Sequence, residues 1–448
     1  MRDTISILLI NPWIADFAAY NLWAEPLGLF YVASVLKSAG GSLFYIDCLE
    51  DADGVPPALK PNGCSKYRRR VVDAPAPLKG VRRNYAIYGM DEDEFDRRLS
   101  GGPRPDIALV TSHMTYWYPG VFRAIEILRM RFGPDLPIIL GGVYATLCAE
   151  HAKQNSGATR VCSDTGIRNL LPMVEAMTGK HFSAHPGPES FYASTWPLHE
   201  LGPKRRFFCV LTSKGCPFSC TYCASPLLTR YFSVRMTGSV VDEIATYSGL
   251  LQTRNIAFYD DALLVNADDH ILPILRSLAG SGTGFRFHLP NGIHARLINA
   301  EVASVFRRSG VETIRIGLET SDPSLQKRTG SKTTNDEYIR AVELFRNAGY
   351  PRSAIGTYVI AGIPGQSVRA VERSVGFVHE AGAAPYLSCY SPIPKTPLWR
   401  EAVKVSPFPV EEEPLFQNNS LYLLGRSEYT PGTVRGLQSM ATELRREN

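Results

Sequence analysis

Short runs of hydrophobic residues alternate with longer segments of mixed polarity along the 448-residue chain, and they do so in two separate series. This alternation predicts strands that alternate with helices, which is typical of parallel α/β architecture. In the first series the strand candidates are apolar at consecutive positions, so both faces of their sheet are expected to be covered. The pattern therefore predicts two α/β domains, one after the other.

The first series predicts a doubly wound, Rossmann-like domain over residues 1–182. Its strand candidates are residues 7–10, SLFYID, DIALVTSH, LPIILGG and a short strand near TRVCSD. One helix is predicted from near Pro26 to Gly40 and another from about Pro119 to Phe132. Ligands of doubly wound domains lie at the carboxyl ends of the strands, so we expect a site at that edge.

An insert of different composition, residues 51–104, interrupts the first series. Between Lys60 and Arg83 it contains one acid, Asp73, and eight basic residues: Lys60, Lys66, Arg68, Arg69, Arg70, Lys79, Arg82 and Arg83. The acidic run DEDEFD follows at once. Two interpretations stay open, a basic flap over an anionic ligand and a solvated surface whose charges balance locally.

The second series predicts an incomplete parallel (β/α)6 barrel over residues 206–400. Its six strand candidates are FFCVLTSKG, NIAFYDD, FRFHLPNG, TIRIGLET, SAIGTYVIAGIPG and APYLSCYSP. Reactive groups in such barrels gather at the carboxyl ends of the strands. Residues 183–205 are rich in proline, glycine and serine and predict a linker, and residues 401–448 form a C-terminal extension without evident chemistry.

Composition narrows the class of protein. A net charge of +5 on a chain that is 44% hydrophobic gives no general case for nucleic-acid or membrane binding. The amino terminus has an apolar run too short for a signal peptide, and no segment approaches membrane-spanning length. Nine cysteines at irregular spacing do not resemble a disulfide framework, so we expect a reducing cytoplasm.

Three of these cysteines, Cys216, Cys220 and Cys223, lie in the single stretch KGCPFSCTYCASP. Structural zinc and iron–sulfur clusters usually take four protein ligands, so a cluster held by three thiolates leaves one iron open to a small molecule. Alternatives are a zinc site that borrows a fourth ligand, or cysteines buried as small hydrophobes. No second C-x2-C pair occurs in the sequence.

The C-x3-C-x2-C spacing, with Tyr222 before the last cysteine, resembles the cluster loop of the radical S-adenosylmethionine (SAM) enzymes. The resemblance implies a [4Fe-4S] cluster on the three cysteines and SAM on the open iron. It also implies SAM-binding roles for Tyr222 and for residues at the following strand ends: Tyr259, Asp260, Asp261, Asn291, Gly292, Glu319, Gly362, Ile363 and Pro364.

In the family, these strand ends hold different parts of SAM. The resemblance places the methionine amino group near Tyr259–Asp261, the ribose at Glu319 and the adenine near Gly362 and Ile363. Taken singly, Asp260 and Glu319 are equally compatible with helix or turn caps. Lys214, Arg235 and Arg315 are candidates for the SAM carboxylate, and the sequence does not rank them.

The first domain resembles the cobalamin-binding domain found in one branch of the same enzymes. The residues implied in cobalamin binding are Gly28, Thr111, Ser112, His113, Gly141, Gly142 and Val143. The motif Asp-x-His-x-x-Gly is absent after the first strand, so we expect cobalt to have no histidine ligand. A polar-aromatic cluster, His113 with Tyr116, Trp117 and Tyr118, suits a flat macrocycle or substrate, or packing between domains. A domain that binds nothing, or only substrate, remains the alternative.

Together the resemblances imply a cobalamin-dependent methyltransferase that acts on an unactivated carbon of a small molecule. In that mechanism the reduced cluster cleaves SAM to a 5′-deoxyadenosyl radical, and methylcobalamin supplies the methyl group. Alternatives are a cyclisation, rearrangement or other group transfer, or a non-enzymatic metal-binding interaction module. The expected partners are a small-molecule substrate and an electron donor such as flavodoxin or ferredoxin, with no nucleic acid and no membrane.

Overall fold

The computed structural model describes residues 4–50, 59–163, 169–185, 195–202, 206–423 and 428–447. The chain divides into two compact units, Met1–Arg206 and Phe207–Asn448. Parts of the insert and of the expected linker, residues 51–58, 186–194 and 203–205, lie outside the described residues.

The first unit is built on a parallel sheet. Its strands are β1 (Ser6–Asn11), β2 (Ile14–Asp16), β3 (Tyr20–Asn21), β4 (Ser42–Asp47), β5 (Ser65–Lys66), β6 (Arg69–Val72), β7 (Tyr85–Tyr88), β8 (Ile107–Val110), β9 (Ile138–Leu140) and β10 (Arg160–Val161). The main sheet has the order β10-β9-β8-β1-β4, with Ile7 beside Leu43 on one side and Ile107 on the other. Numbered along the chain, this is the order 2-1-3-4-5, the flavodoxin-like form of the doubly wound sheet.

Helices accompany this sheet in the first unit. They are α1 (Leu27–Ser38), α2 (Glu92–Gly101), α3 (Tyr118–Phe132), α4 (Val143–Leu147), α5 (Ala149–Asn155) and α6 (Leu170–Thr178). The main core combines the apolar strand residues Leu8, Ile10, Val110 and Leu140 with helix residues such as Leu128. These buried strands explain why their sequences are continuous apolar runs.

The insert in the first unit forms small antiparallel sheets together with β2 and β3. Strand β7 pairs antiparallel with both β2 and β6, and β3 pairs with β5. Helix α2 then begins at the acidic run, where the Asp91 carboxylate accepts a hydrogen bond from the Glu94 amide at 2.8 Å. An aspartate at this position satisfies one of the free amides of the first turn.

The second unit contains a six-stranded parallel sheet with the order β11-β14-β15-β16-β17-β18 and a separate hairpin, β12–β13. The strands are β11 (Phe208–Val210), β12 (Ser213–Lys214), β13 (Ser233–Val234), β14 (Asn255–Phe258), β15 (Arg286–His288), β16 (Val311–Glu319), β17 (Ile355–Ala361) and β18 (Ala384–Cys389). All six predicted strands are present, in sequential spatial order. This is the arrangement expected of a partial barrel.

Helices in the second unit follow the strands. They are α7 (Ser225–Leu228), α8 (Thr237–Leu251), α9 (Ile271–Gly280), α10 (Ala300–Arg308), α11 (Pro323–Arg328), α12 (Asn335–Asn347), α13 (Val368–Glu380), α14 (Trp399–Val405), α15 (Asn419–Tyr422) and α16 (Pro431–Arg446). Helix α12 begins with a reciprocal capping box between Thr334 and Glu337. Within the described ranges, no helix is long and apolar enough to cross a membrane.

Short 3-10 turns occur in both units. They span Ala76–Leu78, Thr115–Trp117, His199–Leu201, Ala267–Asp269, Ala295–Leu297, Arg352–Ala354 and Pro414–Gln417.

Candidate functional site

Cys216, Cys220 and Cys223 lie in the loop between β12 and α7 of the second unit, close to the carboxyl end of β11. Gly215, with φ 81°, begins the loop, and a Cβ there would lie 2.6 Å from the Tyr231 carbonyl oxygen. Cys220 is buried, while Cys216 and Cys223 are half-buried. The Cys223 sulfur accepts a hydrogen bond from the Ser225 amide at 3.4 Å. The loop therefore presents all three thiols from one short, sterically restricted segment.

Asp260 fixes the chain immediately before this loop. One of its carboxylate oxygens accepts hydrogen bonds from the amide of Thr212 at 3.1 Å and of Ser213 at 2.5 Å, and from their hydroxyls at 2.7 and 2.6 Å. His270 adds a contact to the Thr212 hydroxyl at 3.0 Å. These bonds show that Asp260 positions the start of the cysteine loop, and its predicted contact with the amino group of SAM stays a prediction.

Neighbouring Asp261 is exposed. It lies close enough to Cys216 to contribute to the raised pKa of that thiol, whose main cause is burial. Burial raises the pKa of Asp261, and its side chain has a hydrogen bond with Ser225. Of the two adjacent acids, Asp261 is nevertheless the more exposed.

The residues after β16 support the other side of the loop. The Thr221 amide donates to the Thr329 carbonyl oxygen at 3.2 Å. Gly330 has φ 108°, and a Cβ there would lie 3.1 Å from the Cα of Cys220. The Phe218 ring stacks on His294 with 4.2 Å between ring centroids. The cysteine loop is thus packed against the segments that follow β15 and β16.

Glu319 ends β16 in an unusual conformation. Its φ is 65°, in the left-handed region, and the register with β17 shifts between Gly317 and Glu319. The carboxylate accepts a hydrogen bond from Lys332 Nζ at 2.8 Å. Non-glycine residues rarely adopt this backbone conformation, and those that do cluster at functional sites.

Sequence reasoning missed Lys332, which lies in a loop between helices without a diagnostic pattern. Burial by itself would lower the pKa of Lys332, but Glu319, Cys220 and Cys223 raise it above the ordinary value. The ammonium group therefore stays charged beside the cysteine loop. A Cβ at Gly317 would collide with it, so the glycine makes room for this ion pair.

The hydroxyl of Tyr222 is buried near Cys220 and Glu319. Burial, with further contributions from Glu319 and Cys220, raises the pKa of its phenol well above the usual value. Tyr222 thus remains a neutral phenol next to the cysteines.

Asn291 and Gly292 connect the ends of neighbouring strands. Asn291 donates to the carbonyl oxygens of Tyr259 at 2.9 Å and Asp260 at 3.3 Å. A Cβ on Gly292 would lie 3.1 Å from the Gly317 amide nitrogen. The predicted residues after β14, β15 and β16 are therefore brought to one edge of the sheet.

The Gly362–Pro364 segment after β17 is held by Gln366, which sequence reasoning also missed. Gln366 Oε1 accepts hydrogen bonds from the amides of Gly362 at 2.8 Å and Ile363 at 3.2 Å. Its Nε2 donates to the Ile360 carbonyl oxygen at 3.0 Å. A single buried side chain fixes this turn in shape.

The three basic candidates for the SAM carboxylate differ in the structure. Arg235 is buried against Glu243 at 2.5 Å and is not available to a ligand. Arg315 stacks on Tyr386, with 4.2 Å from guanidinium carbon to ring centroid. Lys214 lies directly before the cysteine loop, and burial lowers its pKa to about 8.

The donor set fits an iron–sulfur cluster better than a single ion. Burial and mutual repulsion raise the pKa of Cys216 to about 11, so the thiols need a positively charged group to remain thiolates. Among the residues that the structure describes, no three His, Cys, Asp or Glu side chains are arranged to hold one metal ion. Three thiols in one loop match a cluster that leaves one iron open to a small molecule, whereas structural zinc usually takes four protein ligands.

In the first unit, the strand ends after β8 and β9 form a second candidate site. The Ser112 hydroxyl donates to the Gly141 carbonyl oxygen at 2.7 Å, and the Val143 amide donates to the Ser112 carbonyl oxygen at 2.9 Å. Gly142 has φ 96°, and a Cβ there would collide with the Ser112 backbone, whereas the space beside Gly141 is open. Thr111 precedes Ser112 and is half-buried. Gly28 lies apart from this contact set, exposed in α1.

The strand order places a crevice at the carboxyl ends of β1 and β8, where connections leave in opposite directions. Asn11 ends β1 and donates to Asp47 at 2.7 Å. Its buried Oδ1 has no hydrogen-bond partner among the described residues. Burial lowers the pKa of His113, and the negative charge of Asp47 opposes this shift only in part. Asn11 is a polar group at this edge that the sequence pattern did not single out.

The polar-aromatic cluster makes contacts within the first unit. Trp117 Nε1 donates to Asp16 at 2.7 Å, and Tyr118 stacks on Tyr144 at 5.8 Å between centroids. These contacts tie the start of α3 to β2 and α4.

Comparisons with known proteins agree with this geometry. The family model of the radical SAM superfamily matches residues 210–378. The chain is 27% identical over 202 residues to an uncharacterized methyltransferase of Pyrococcus horikoshii, covering 44% of this chain and 42% of the relative. It is 26% identical over 196 residues to the bacteriochlorophyllide d C-12(1)-methyltransferase of Chlorobaculum tepidum, covering 43% of this chain and 42% of the relative. The chain thus matches less than half the length of these two relatives.

Among solved structures, the methyltransferase TsrM from Kitasatospora setae is similar over 98% of this chain and 89% of its own, with a TM-score of 0.67 and 15% identity. That structure holds a tryptophan substrate and a SAM analog, and another of the same protein holds cobalamin and a [4Fe-4S] cluster. The chain described here therefore contains a radical SAM domain. Its fold is similar to that of the methyltransferase TsrM.

Proposed function

We propose that the protein is a radical SAM enzyme in which Cys216, Cys220 and Cys223 hold a [4Fe-4S] cluster. The observation that carries this proposal is the set of three thiols in one fixed loop, with Glu319 and the Gly362–Pro364 turn at the same sheet edge. When bound, the cluster supplies one electron for reductive cleavage of SAM. The electron donor is a small redox protein such as flavodoxin or ferredoxin.

The chain's own residues would bind SAM at the strand ends. Exposed Asp261 offers a carboxylate to the methionine ammonium group, and Glu319 offers one to the ribose hydroxyls. The turn held by Gln366 presents glycine backbone to the adenine. Tyr222, as a neutral phenol, packs beside the cysteines.

We further propose that the first unit holds cobalamin, and that the reaction is methyl transfer to an unactivated carbon of a small molecule. Support comes from the flavodoxin-like strand order and from the close backbone approach at Gly142 and Ser112. The names of two relatives as methyltransferases favour this outcome over cyclisation or rearrangement. Thr111, His113, Gly141 and Val143 complete the proposed contact set, with no histidine bound to cobalt.

The cluster is tested with a variant in which all three cysteines are replaced by alanine. Anaerobically reconstituted wild-type protein should hold iron and sulfide in equal amounts and cleave SAM with a chemical reductant. The triple variant should hold neither and cleave none. Stoichiometric iron in the triple variant would show that the ligands lie elsewhere.

The SAM site is tested with Glu319→Ala. Loss of a charge-assisted hydrogen bond costs about 1.5–3 kcal/mol, or roughly ten- to a hundredfold in affinity. Equilibrium binding of SAM to protein with an intact cluster measures this loss. Unchanged affinity would contradict the ribose assignment.

The cobalamin site is tested by desalting after incubation with hydroxocobalamin. Retention of about one corrinoid per chain is expected from the single crevice of the first unit. If the protein cleaves SAM but retains no corrinoid, the cobalamin proposal is wrong, and the reaction is a radical SAM reaction other than cobalamin-dependent methyl transfer.

A further inference from the structure

The ion pair between Lys332 and Glu319 has an unusual environment. Its side chains are only 14% and 10% exposed, and Nζ lies 2.8 Å from the Glu319 carboxylate. Gly317 supplies the space for it, since a Cβ there would collide with Lys332 Nζ. A buried pair of this kind carries a large desolvation cost and is weak evidence for a stabilising role alone.

The segment that carries Lys332 lies directly against the cysteine loop. Thr329 accepts a hydrogen bond from the Thr221 amide at 3.2 Å. At Gly330, a Cβ would lie 2.8 Å from the Ser219 carbonyl oxygen and 3.1 Å from the Cα of Cys220. Residues 329–332 therefore pack against the cysteine loop on this side, and Lys332 belongs to the same segment.

The ammonium group and the thiols act on each other electrostatically. Cys220 and Cys223 both raise the pKa of Lys332, so the lysine stays charged beside the loop that its own segment supports.

We propose that Lys332 is a positioning residue that stabilises the reduced state of the cluster bound by Cys216, Cys220 and Cys223, with Glu319 holding its ammonium group in place. This inference rests on the proposed function. One-electron reduction adds a negative charge to the cluster, and nearby charge and solvent exposure are among the factors that set its reduction potential. A fixed cation out of contact with water is screened little, so its effect at the cluster is strong.

Four variants test the proposal: Lys332→Met, Glu319→Gln, the double variant, and Lys332→Arg. Exposed Lys327, in the neighbouring helix α11, supplies the matched control Lys327→Met. The measured quantity is the midpoint potential of the reconstituted cluster without SAM, followed by electron paramagnetic resonance during titration with dithionite. Iron content is measured first, and the potential is taken from the protein that holds a cluster.

We expect the potential to rise in Glu319→Gln, where the cation loses its counterion. It should fall in the double variant relative to Glu319→Gln by at least about 59 mV, which is tenfold in a one-electron equilibrium. This comparison isolates the ammonium group, because in Lys332→Met the buried Glu319 can neutralise itself by taking a proton. Lys332→Arg and Lys327→Met should keep the wild-type potential.

Equal potentials in Glu319→Gln and the double variant would overturn the proposal. So would a shift in Lys327→Met as large as that in the double variant, since an exposed charge is screened by solvent. If Lys332→Arg falls below the wild-type potential by as much as the double variant falls below Glu319→Gln, packing and not charge is responsible, which also overturns it. A wild-type protein that binds no cluster would refute the proposed function itself, a result distinct from these.

Discussion

Replacement of Asp260 separates the positioning of the cysteine loop from the binding of SAM. In Asp260→Ala, the amides of Thr212 and Ser213 lose their acceptor inside the protein. Each buried donor left unsatisfied costs about 1–3 kcal/mol, so we expect a total loss of about 2–6 kcal/mol in the stability of this region. The two hydroxyls add less, because they can rotate toward other acceptors.

Asp260→Asn should be milder than Asp260→Ala. Burial raises the pKa of the Asp260 carboxyl, so part of what its hydrogen bonds contribute is offset by the cost of burying charge. Asparagine keeps one acceptor oxygen in nearly the same shape and carries no charge. Exposed Asp261 provides the matched control, and Asp261→Ala should change stability by no more than about 0.5 kcal/mol.

Hydrogen exchange of the full chain, read by mass spectrometry on a peptide that spans residues 208–216, measures the effect directly. A local loss of about 2 kcal/mol accelerates exchange about 30-fold. Iron uptake during reconstitution should fall in parallel, while Asp261→Ala should assemble its cluster normally and lose SAM affinity. Asp260 does not hold the loop if Asp260→Ala exchanges like wild type, or if Asp261→Ala exchanges as fast as Asp260→Ala.

Three further changes test other parts of the molecule. Gly142→Ala should abolish corrinoid retention after desalting, because its Cβ would collide with neighbouring backbone, whereas Gly101→Ala, in α2 and facing open space, should retain it. Burial lowers the pKa of His288 from 6.5 to about 4, so the unfolded chain binds this proton more readily than the folded protein. The free energy of unfolding should therefore fall by about 3 kcal/mol between pH 7 and pH 4. Urea unfolding of His288→Gln should lack this slope. Gln366→Leu removes the acceptor of the Gly362 amide and should weaken SAM binding measured at equilibrium, while an unchanged affinity would exclude that turn from the site.

The strands and the site edge were predictable because they rest on local pattern. Apolar runs that end in glycine, asparagine or acid mark the carboxyl ends of parallel strands, and topology brings those ends together. Cys216, Glu319 and Gly362 were therefore found at the same edge from sequence. The order of strands in the first unit was not readable, because periodicity does not record which strands pair.

Roles that depend on distant partners were missed. Asp260 is a residue type that often binds ligands, but its hydrogen-bond partners in the fold lie 47 and 48 residues upstream. Lys332 is one of many lysines in the sequence, and only folding shows that it is buried against Glu319. Gln366 follows a glycine-rich turn without forming part of any motif. Burial and long-range hydrogen bonds decide these roles, and the spacing of residues along the sequence predicts neither of them.

The final helix α16 has a consequence for how the molecule avoids aggregation. Strand β18 is the outermost strand of the second sheet, and such edges can pair with the edges of other molecules. Arg445 donates to the Pro385 carbonyl oxygen at 3.1 Å and lies 4.7 Å from the Tyr386 ring centroid. Pro385 itself lacks an amide to offer. A chain shortened before residue 431 would present this edge uncovered, and it should self-associate through strand pairing, visible as concentration-dependent light scattering.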